Sequence, residues 1–333
     1  MAGGATILGC AGQELTPSER SFFAQADPFG FILFDRNLRD AGQIRALCAS
    51  LRDAVGRDAP ILIDQEGGRV QRLRPPLATE WVPPLDDCTR AGANAARAMH
   101  LRYRIIAAEL MDLGIDANCA PMVDIATDET HEFLKNRCYG NTLRDVFHVG
   151  QAVAGGLMDG GVLPVVKHIP GHGRALLDSH LELPVVHEDA AVLRASDFAA
   201  FEALNDLPMA MTAHITYTAF DDRPATLSPT MIDVIRNEIG FAGLLMTDDI
   251  SMKALTGTLA ELSRLSIDAG CDVVLHCNGD LGEMEDVAAA SGTLSEAASA
   301  RAEAALALRC TPEPVNLSEL RAQYDALVTR GHA

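Results

Sequence analysis

The sequence predicts an α/β fold, a single (β/α)8 TIM barrel spanning residues 1–333. Eight short apolar runs recur along the chain, and none alternates apolar with polar residues. That pattern suits the strands of a parallel sheet covered on both faces. Helical patterns lie between the runs, and several end at a glycine just before the next run. Polar residues gather just past the ends of many runs, where a barrel brings scattered segments to one face.

The first run, ATILG (5–9), leads to Thr16-Pro17-Ser18-Glu19, a capping box with proline at the first helical position. After FGFILF (29–34), residues 40–55 place Ile44, Leu47, Cys48, Leu51 and Val55 on one stripe, with Asp40 as the N-cap. PILI (60–63) and NCAPMV (118–123) follow, separated by a long irregular segment over 64–118. A second long loop covers 124–139, and loops of this length at a barrel mouth shape pockets. VLPVV (162–166), PMAMTA (208–213), GLLMT (243–247) and DVVLH (272–276) complete the eight. Ser228-Pro229 starts a helix as Thr16-Pro17 does, and Gly114, Gly160-Gly161, Gly240 and Gly270 are placed to close helices in the left-handed conformation.

A doubly wound sheet is the structural rival, but the G-x-G-x-x-G it needs after its first strand is absent. A 48% apolar share supports one large core. With 27 Lys+Arg against 46 Asp+Glu, the formal charge of −19 repels phosphate backbones and argues against a nucleic-acid partner. Eight cysteines are scattered with no C-x-x-C pair, so buried free thiols in a reducing compartment are expected. The start MAGGATILGCAGQEL lacks the basic and apolar regions of a signal peptide, and no apolar run approaches the roughly 20 residues that span a bilayer. The expectation is a cytoplasmic monomer without membrane contact.

The strand ends carry the candidate chemistry. The third strand runs into DQEGGRVQR (64–72), the loop after the fourth holds Arg137, and the fifth ends in Lys167-His168. The sixth ends at His214, the seventh at Asp248-Asp249, the eighth at His276. Each also has a purely structural reading. Asp64 and Arg72 read as a rim salt bridge, Arg137 as a brace of its own loop, and His214 and His276 as satisfied core histidines. Lys167 is harder to dismiss, since a lysine ending an apolar strand needs a partner. Asp248 and Asp249 are adjacent, so at most one points to the axis, and the other is free to cap the next helix.

The stretch KHIPGHGRALLDSH (167–180) admits three readings. A phosphate cradle would need G-x-x-x-x-G-K-[ST], which is missing. A metal site could draw on His168, His172, Asp178 and His180, but H-E-x-x-H is absent. The favoured reading pairs Asp178 with His180 as an acid–base device: the carboxylate orients the ring and favours its charged form. A carboxylate opposite, Asp248, is suitably placed as a nucleophile.

KHIPGHG…DSH, with DQEGGRVQR before it and TDDISM after it, resembles glycoside hydrolase family three, and within it the bacterial cytoplasmic β-N-acetylglucosaminidases of peptidoglycan recycling. The resemblance covers nearly the whole chain. It implies a retaining mechanism with Asp248 as nucleophile, His180 as acid–base and Asp178 orienting it. It also implies sugar binding by Asp64, Arg72, Arg137, Lys167, His168 and His214, a muropeptide substrate, and neither metal nor cofactor. Ile169 stands where phenylalanine is usual and Cys138 where serine is usual, which touches only local packing. Glucosidase or xylosidase specificity, a metal-dependent barrel hydrolase and an idle sugar-binding barrel are the alternatives. Water and phosphate both stay open as acceptors.

Overall fold

The computed structural model describes residues 3–177 and 182–330. Eight parallel strands form the barrel: β1 (Gly4–Leu8), β2 (Pro28–Leu33), β3 (Ile61–Ile63), β4 (Ala117–Asn118), β5 (Leu163–Ile169), β6 (Met209–Thr212), β7 (Leu244–Met246) and β8 (Val274–His276). They pair in the order β7-β6-β5-β4-β3-β2-β1-β8. A parallel bridge between Met246 and Val273 closes the ring, joined by Thr247 N donating to Val273 O at 3.1 Å.

Both faces of each strand are buried, which is why the runs read as unbroken apolar stretches. Ala5, Ile7, Ile32, Leu62, Val165, Met211, Met246 and Leu275 belong to one cluster, drawn from strands all round the ring. Their neighbours Leu8, Leu33, Ile61, Val166 and Leu245 pack outward against helical residues such as Ile44, Leu47, Ile106 and Leu157. Each such side chain contributes about 1.5–3 kcal/mol by leaving water.

The helices start as their caps dictate. Thr16 and Glu19 complete a capping box, and Asp40 and Ser228 accept from Gln43 N and Met231 N. Ile44, Leu47, Cys48 and Leu51 are buried, while Val55 is only partly covered. Gly114, Gly161, Gly240 and Gly270 take positive φ, but Gly160 does not, at φ −93°.

Three features depart from expectation. The regular ladder of NCAPMV holds only Asn118 of that run, and pairing resumes as an isolated bridge between Met122 and Lys167, with the Pro121 carbonyl accepting from Lys167 N at 3.0 Å. The chain stays extended beyond it, with Val123 N donating to Lys167 O at 2.9 Å. The segment over 64–118 contains an antiparallel hairpin of Gln65–Gly67 with Val70–Gln71, and two helices, α1 (Pro84–Ala91) and α2 (Ala95–Asp112). Seven free cysteines are buried, but Cys310 is exposed. A last helix, αC (Leu317–Arg330), packs against α1 and α2. Among the described residues no helix is long and apolar enough to cross a membrane.

Candidate active site

Five charges form the floor of a cleft at the carboxyl ends of the strands. Lys167 Nζ lies 2.9 Å from Asp64 Oδ1 and 2.6 Å from Glu66 Oε1. Arg137 reaches the same glutamate twice, Nε to Oε2 at 2.9 Å and Nη2 to Oε1 at 2.8 Å. Arg72 closes the set, 3.2 Å from Asp64 Oδ2. Unpaired, each buried charge would cost several kcal/mol, so the set persists only because every member faces an opposite charge. Burial alone would raise Glu66, but Arg137 and Lys167 bring its carboxyl down to about 2. Lys167 and Arg72 likewise outweigh burial and hold Asp64 well below the usual carboxylate range. Burial disfavours the charge on Lys167, yet Asp64 and Glu66 keep its pKa above the ordinary lysine value.

His168 is aimed by an irregularity in β5. Lys167 pairs with Met211 and Ile169 with Thr212, so His168 is the extra residue of a bulge, a device that re-aims a side chain. Lys167 and His168 consequently both line the cleft; the peptide between them is cis. Asp124, fully buried, faces His168 Nδ1 at 2.7 Å and accepts from the backbone N–H groups of His168 and His172 at 3.3 and 2.6 Å. In the neutral ring this carboxylate keeps the proton on Nδ1 and leaves Nε2 its lone pair.

The turn after β7 separates two adjacent acids by their partners. Asp249 accepts from Ser251 N at 3.2 Å, Ser251 Oγ at 2.8 Å and Cys277 N at 3.2 Å, which ties β7 to β8. Asp248, half-buried on the cleft wall, accepts from Asp249 N at 2.8 Å. Neither caps the next helix; Thr258 does.

His214 is absent from the cleft lining. Its Nε2 donates to the Asp249 carbonyl at 3.0 Å, and its Nδ1 accepts from Thr226 Oγ1 at 2.8 Å. Burial lowers its pKa, so the ring is neutral near pH 7. Both ring nitrogens are thus engaged, and the ring supports the acid turn from beneath.

The cleft holds about 440 Å³, with Phe34, Phe133, Met211 and Met252 among its walls. Charged donors and acceptors on the floor and aromatic or thioether groups on the sides suit a polyhydroxylated ring. A larger groove of about 740 Å³, bounded by Cys88, Lys135 and His148, contains none of these strand-end charges.

Of the residues picked from sequence, Asp64, Arg72, Arg137, Lys167, His168 and Asp248 border this one cleft. Asp178 and His180 lie outside the described residues. Among the described residues no three His, Cys, Asp or Glu side chains gather as a metal cage. His172 sits edge-on to His168 with ring centres 5.4 Å apart, and burial followed by repulsion from His168 brings its pKa down to about 4. Sequence reasoning missed Glu66, Asp124 and Thr226. Glu66 stood inside DQEGGRVQR, and Asp124 ended an apolar run just as Asp64 does; Thr226 carried no local signal.

The glycosyl hydrolase family 3 N-terminal domain matches residues 14–307. The beta-hexosaminidase of Alkalilimnicola ehrlichii is 35% identical over 282 residues, 83% of this chain and 81% of that protein. Native NagZ from Neisseria gonorrhoeae is 26% identical with a TM-score of 0.84, over 100% of this chain and 99% of its own. A family 3 beta-N-acetylglucosaminidase from Paenibacillus sp. is 28% identical with a TM-score of 0.87, over 98% of this chain and 66% of that longer one. A closed barrel with charges gathered at its mouth, matched over most of its length, belongs to glycosyl hydrolase family 3, and this chain is a glycoside hydrolase.

Proposed function

We propose that the protein is a retaining exo-β-N-acetylglucosaminidase, releasing GlcNAc from β-1,4-linked GlcNAc-(anhydro)MurNAc muropeptides during cytoplasmic cell-wall recycling. One observation carries the reading: Asp248 shares a single cleft with Asp64, Arg137, Lys167 and His168. The names of the relatives support GlcNAc as the sugar, as does a solved structure of the Neisseria gonorrhoeae protein holding N-trifluoroacetyl-D-glucosamine, at 26% identity and TM-score 0.84. Eight free thiols support a reducing compartment.

In this mechanism Asp64, Arg72, Arg137, Lys167 and His168 hold the sugar hydroxyls by charge-assisted hydrogen bonds. Asp248 attacks the anomeric carbon as the glycosidic C–O bond breaks, and the leaving oxygen takes a proton from His180, which Asp178 orients. A glycosyl ester on Asp248 results. Water, giving its proton to the now neutral His180, attacks the same carbon and releases Asp248. Two inversions restore the β configuration. Retaining enzymes ordinarily use two carboxyl groups about 5–5.5 Å apart, so an imidazole in place of one is the distinguishing element.

A panel of nitrophenyl β-glycosides of GlcNAc, glucose and xylose, with and without EDTA, tests the proposal. The GlcNAc glycoside should turn over fastest, unaffected by chelator, with β-GlcNAc the first anomer seen by NMR. Preference for glucose or xylose would move the specificity. Activity lost to EDTA and restored by zinc would replace the mechanism, and first release of α-GlcNAc would overturn retention.

A further inference from the structure

We infer that Arg102 is a positioning residue for the sugar-binding floor, and that αC tunes sugar affinity through it. The inference rests on the reading above, in which Arg137 and Lys167 hold the sugar.

Glu66 is gripped from two sides. In front, its carboxylate anchors Arg137 and Lys167. Behind, its backbone carbonyl accepts from Arg102 Nη2 and from the Tyr103 hydroxyl, the latter at 3.3 Å. Gly67 permits the approach: its φ is +112°, and a Cβ there would stand 1.8 Å from Arg102 Nη2. The other arm of Arg102 donates from Nη1 to Asp87 Oδ2 at 2.6 Å, and the two side chains are 0% and 1% exposed. Asp87 Oδ2 also accepts the Tyr324 hydroxyl of αC at 2.6 Å. The Tyr324 ring stands edge-on to Trp81 at 5.1 Å, and Arg102 lies over the same indole at 5.1 Å.

A hydrogen-bonded path therefore runs from Tyr324 through Asp87 and Arg102 to Glu66, and from there to both cations. A dry ion pair is a poor way to gain stability, because apolar residues of the same volume often do as well or better. This pair ends instead on the carbonyl of Glu66, whose side chain fixes two of the three floor cations, Arg137 and Lys167. Loosening the path would shift Glu66 and the two charges with it. Displacing those cations lengthens the charge-assisted hydrogen bonds they offer the sugar and so weakens binding.

Two variants test the coupling. Tyr324→Phe removes one hydroxyl and keeps the ring on Trp81; Arg102→Lys keeps the charge but cannot reach Asp87 and Glu66 together. With nitrophenyl β-GlcNAc, Tyr324→Phe should raise KM, and the inhibition constant for free GlcNAc, about 3- to 10-fold while kcat stays within about 2-fold. Arg102→Lys should act in the same direction by about 10-fold or more. Hydrogen exchange over residues 61–73 of Tyr324→Phe should quicken while the remaining strands keep their protection. A lowered melting temperature with KM and exchange as in wild type would reduce the path to a structural pair and overturn the inference. Wild-type protein that cleaves no glycoside would defeat the functional reading, and the exchange measurement then decides the coupling by itself.

Discussion

Lys167 Nζ and Glu66 Oε1 meet at 2.6 Å in the cleft floor, with side chains 2% and 1% exposed. Glu66 also accepts from Nε and Nη2 of Arg137, so one acid fixes two cations. Its carboxyl falls from 4.5 to about 2 because those cations outweigh burial. The folded protein thus binds fewer protons here than the unfolded chain. The contribution is fully present above about pH 5 and is lost as pH falls toward 2. Glu66→Gln should lower unfolding free energy at pH 7 by about 3–5 kcal/mol, since buried Arg137 loses its charge partner and Lys167 keeps only Asp64. It should also flatten the acid limb of the stability curve. Urea titrations at several pH values between 7 and 3 check this, and parallel curves for the two proteins would detach Glu66 from the acid response.

Asp248→Asn preserves the side chain's shape but removes the carboxylate proposed as nucleophile. Turnover of nitrophenyl β-GlcNAc should fall by at least about 10³-fold, with the melting temperature and GlcNAc affinity nearly unchanged. Rates close to wild type would remove Asp248 from that role.

His180→Ala should slow substrates with poor leaving groups most, because an activated phenol departs without a proton donor. Comparing dinitrophenyl with methylumbelliferyl and disaccharide substrates checks it. Equal losses across the series would argue against acid catalysis by this residue.

Asp124→Asn weakens the charge-assisted bond that orients His168. GlcNAc affinity should drop about 10-fold, in line with 1.5–3 kcal/mol for a hydrogen bond to a charged group. Calorimetric titration with GlcNAc measures it; unchanged affinity would leave His168 oriented by the bulge alone.

Thr226→Val removes the hydroxyl beneath His214. The stability cost should be about 1–3 kcal/mol for the unsatisfied ring nitrogen, and kcat should fall more than KM rises, because the ring supports the turn bearing Asp248. A change in KM alone would return His214 to direct sugar contact.

The eight runs were legible because strands covered on both faces need apolar residues at every position, a local property. Caps were legible for the same reason: Thr16 and Glu19 satisfy each other within four residues. NCAPMV outran its regular ladder because chain extension and ladder pairing are different things, and Pro121 can accept a bond from the next strand but cannot donate one. The partners were not legible. Glu66 meets Arg137 across 71 positions and Asp124 meets His168 across 44, and nothing in either neighbourhood specifies the other end.

By itself the sequence determined the barrel, its caps and the concentration of charge at one rim, because periodicity and turn chemistry act over a few residues. Only the tertiary structure decided which of those charges border one cleft and which partners hold each of them. Asp248 and Asp249 are chemically identical neighbours that both border the cleft, yet Ser251 and Cys277 engage the Asp249 carboxylate while the Asp248 carboxylate takes the Asp249 N–H. His214 ends its strand as His168 does, but a hydroxyl and a carbonyl claim both its nitrogens. A side chain's task follows from the partners that folding brings to it, and those partners come from distant parts of the chain.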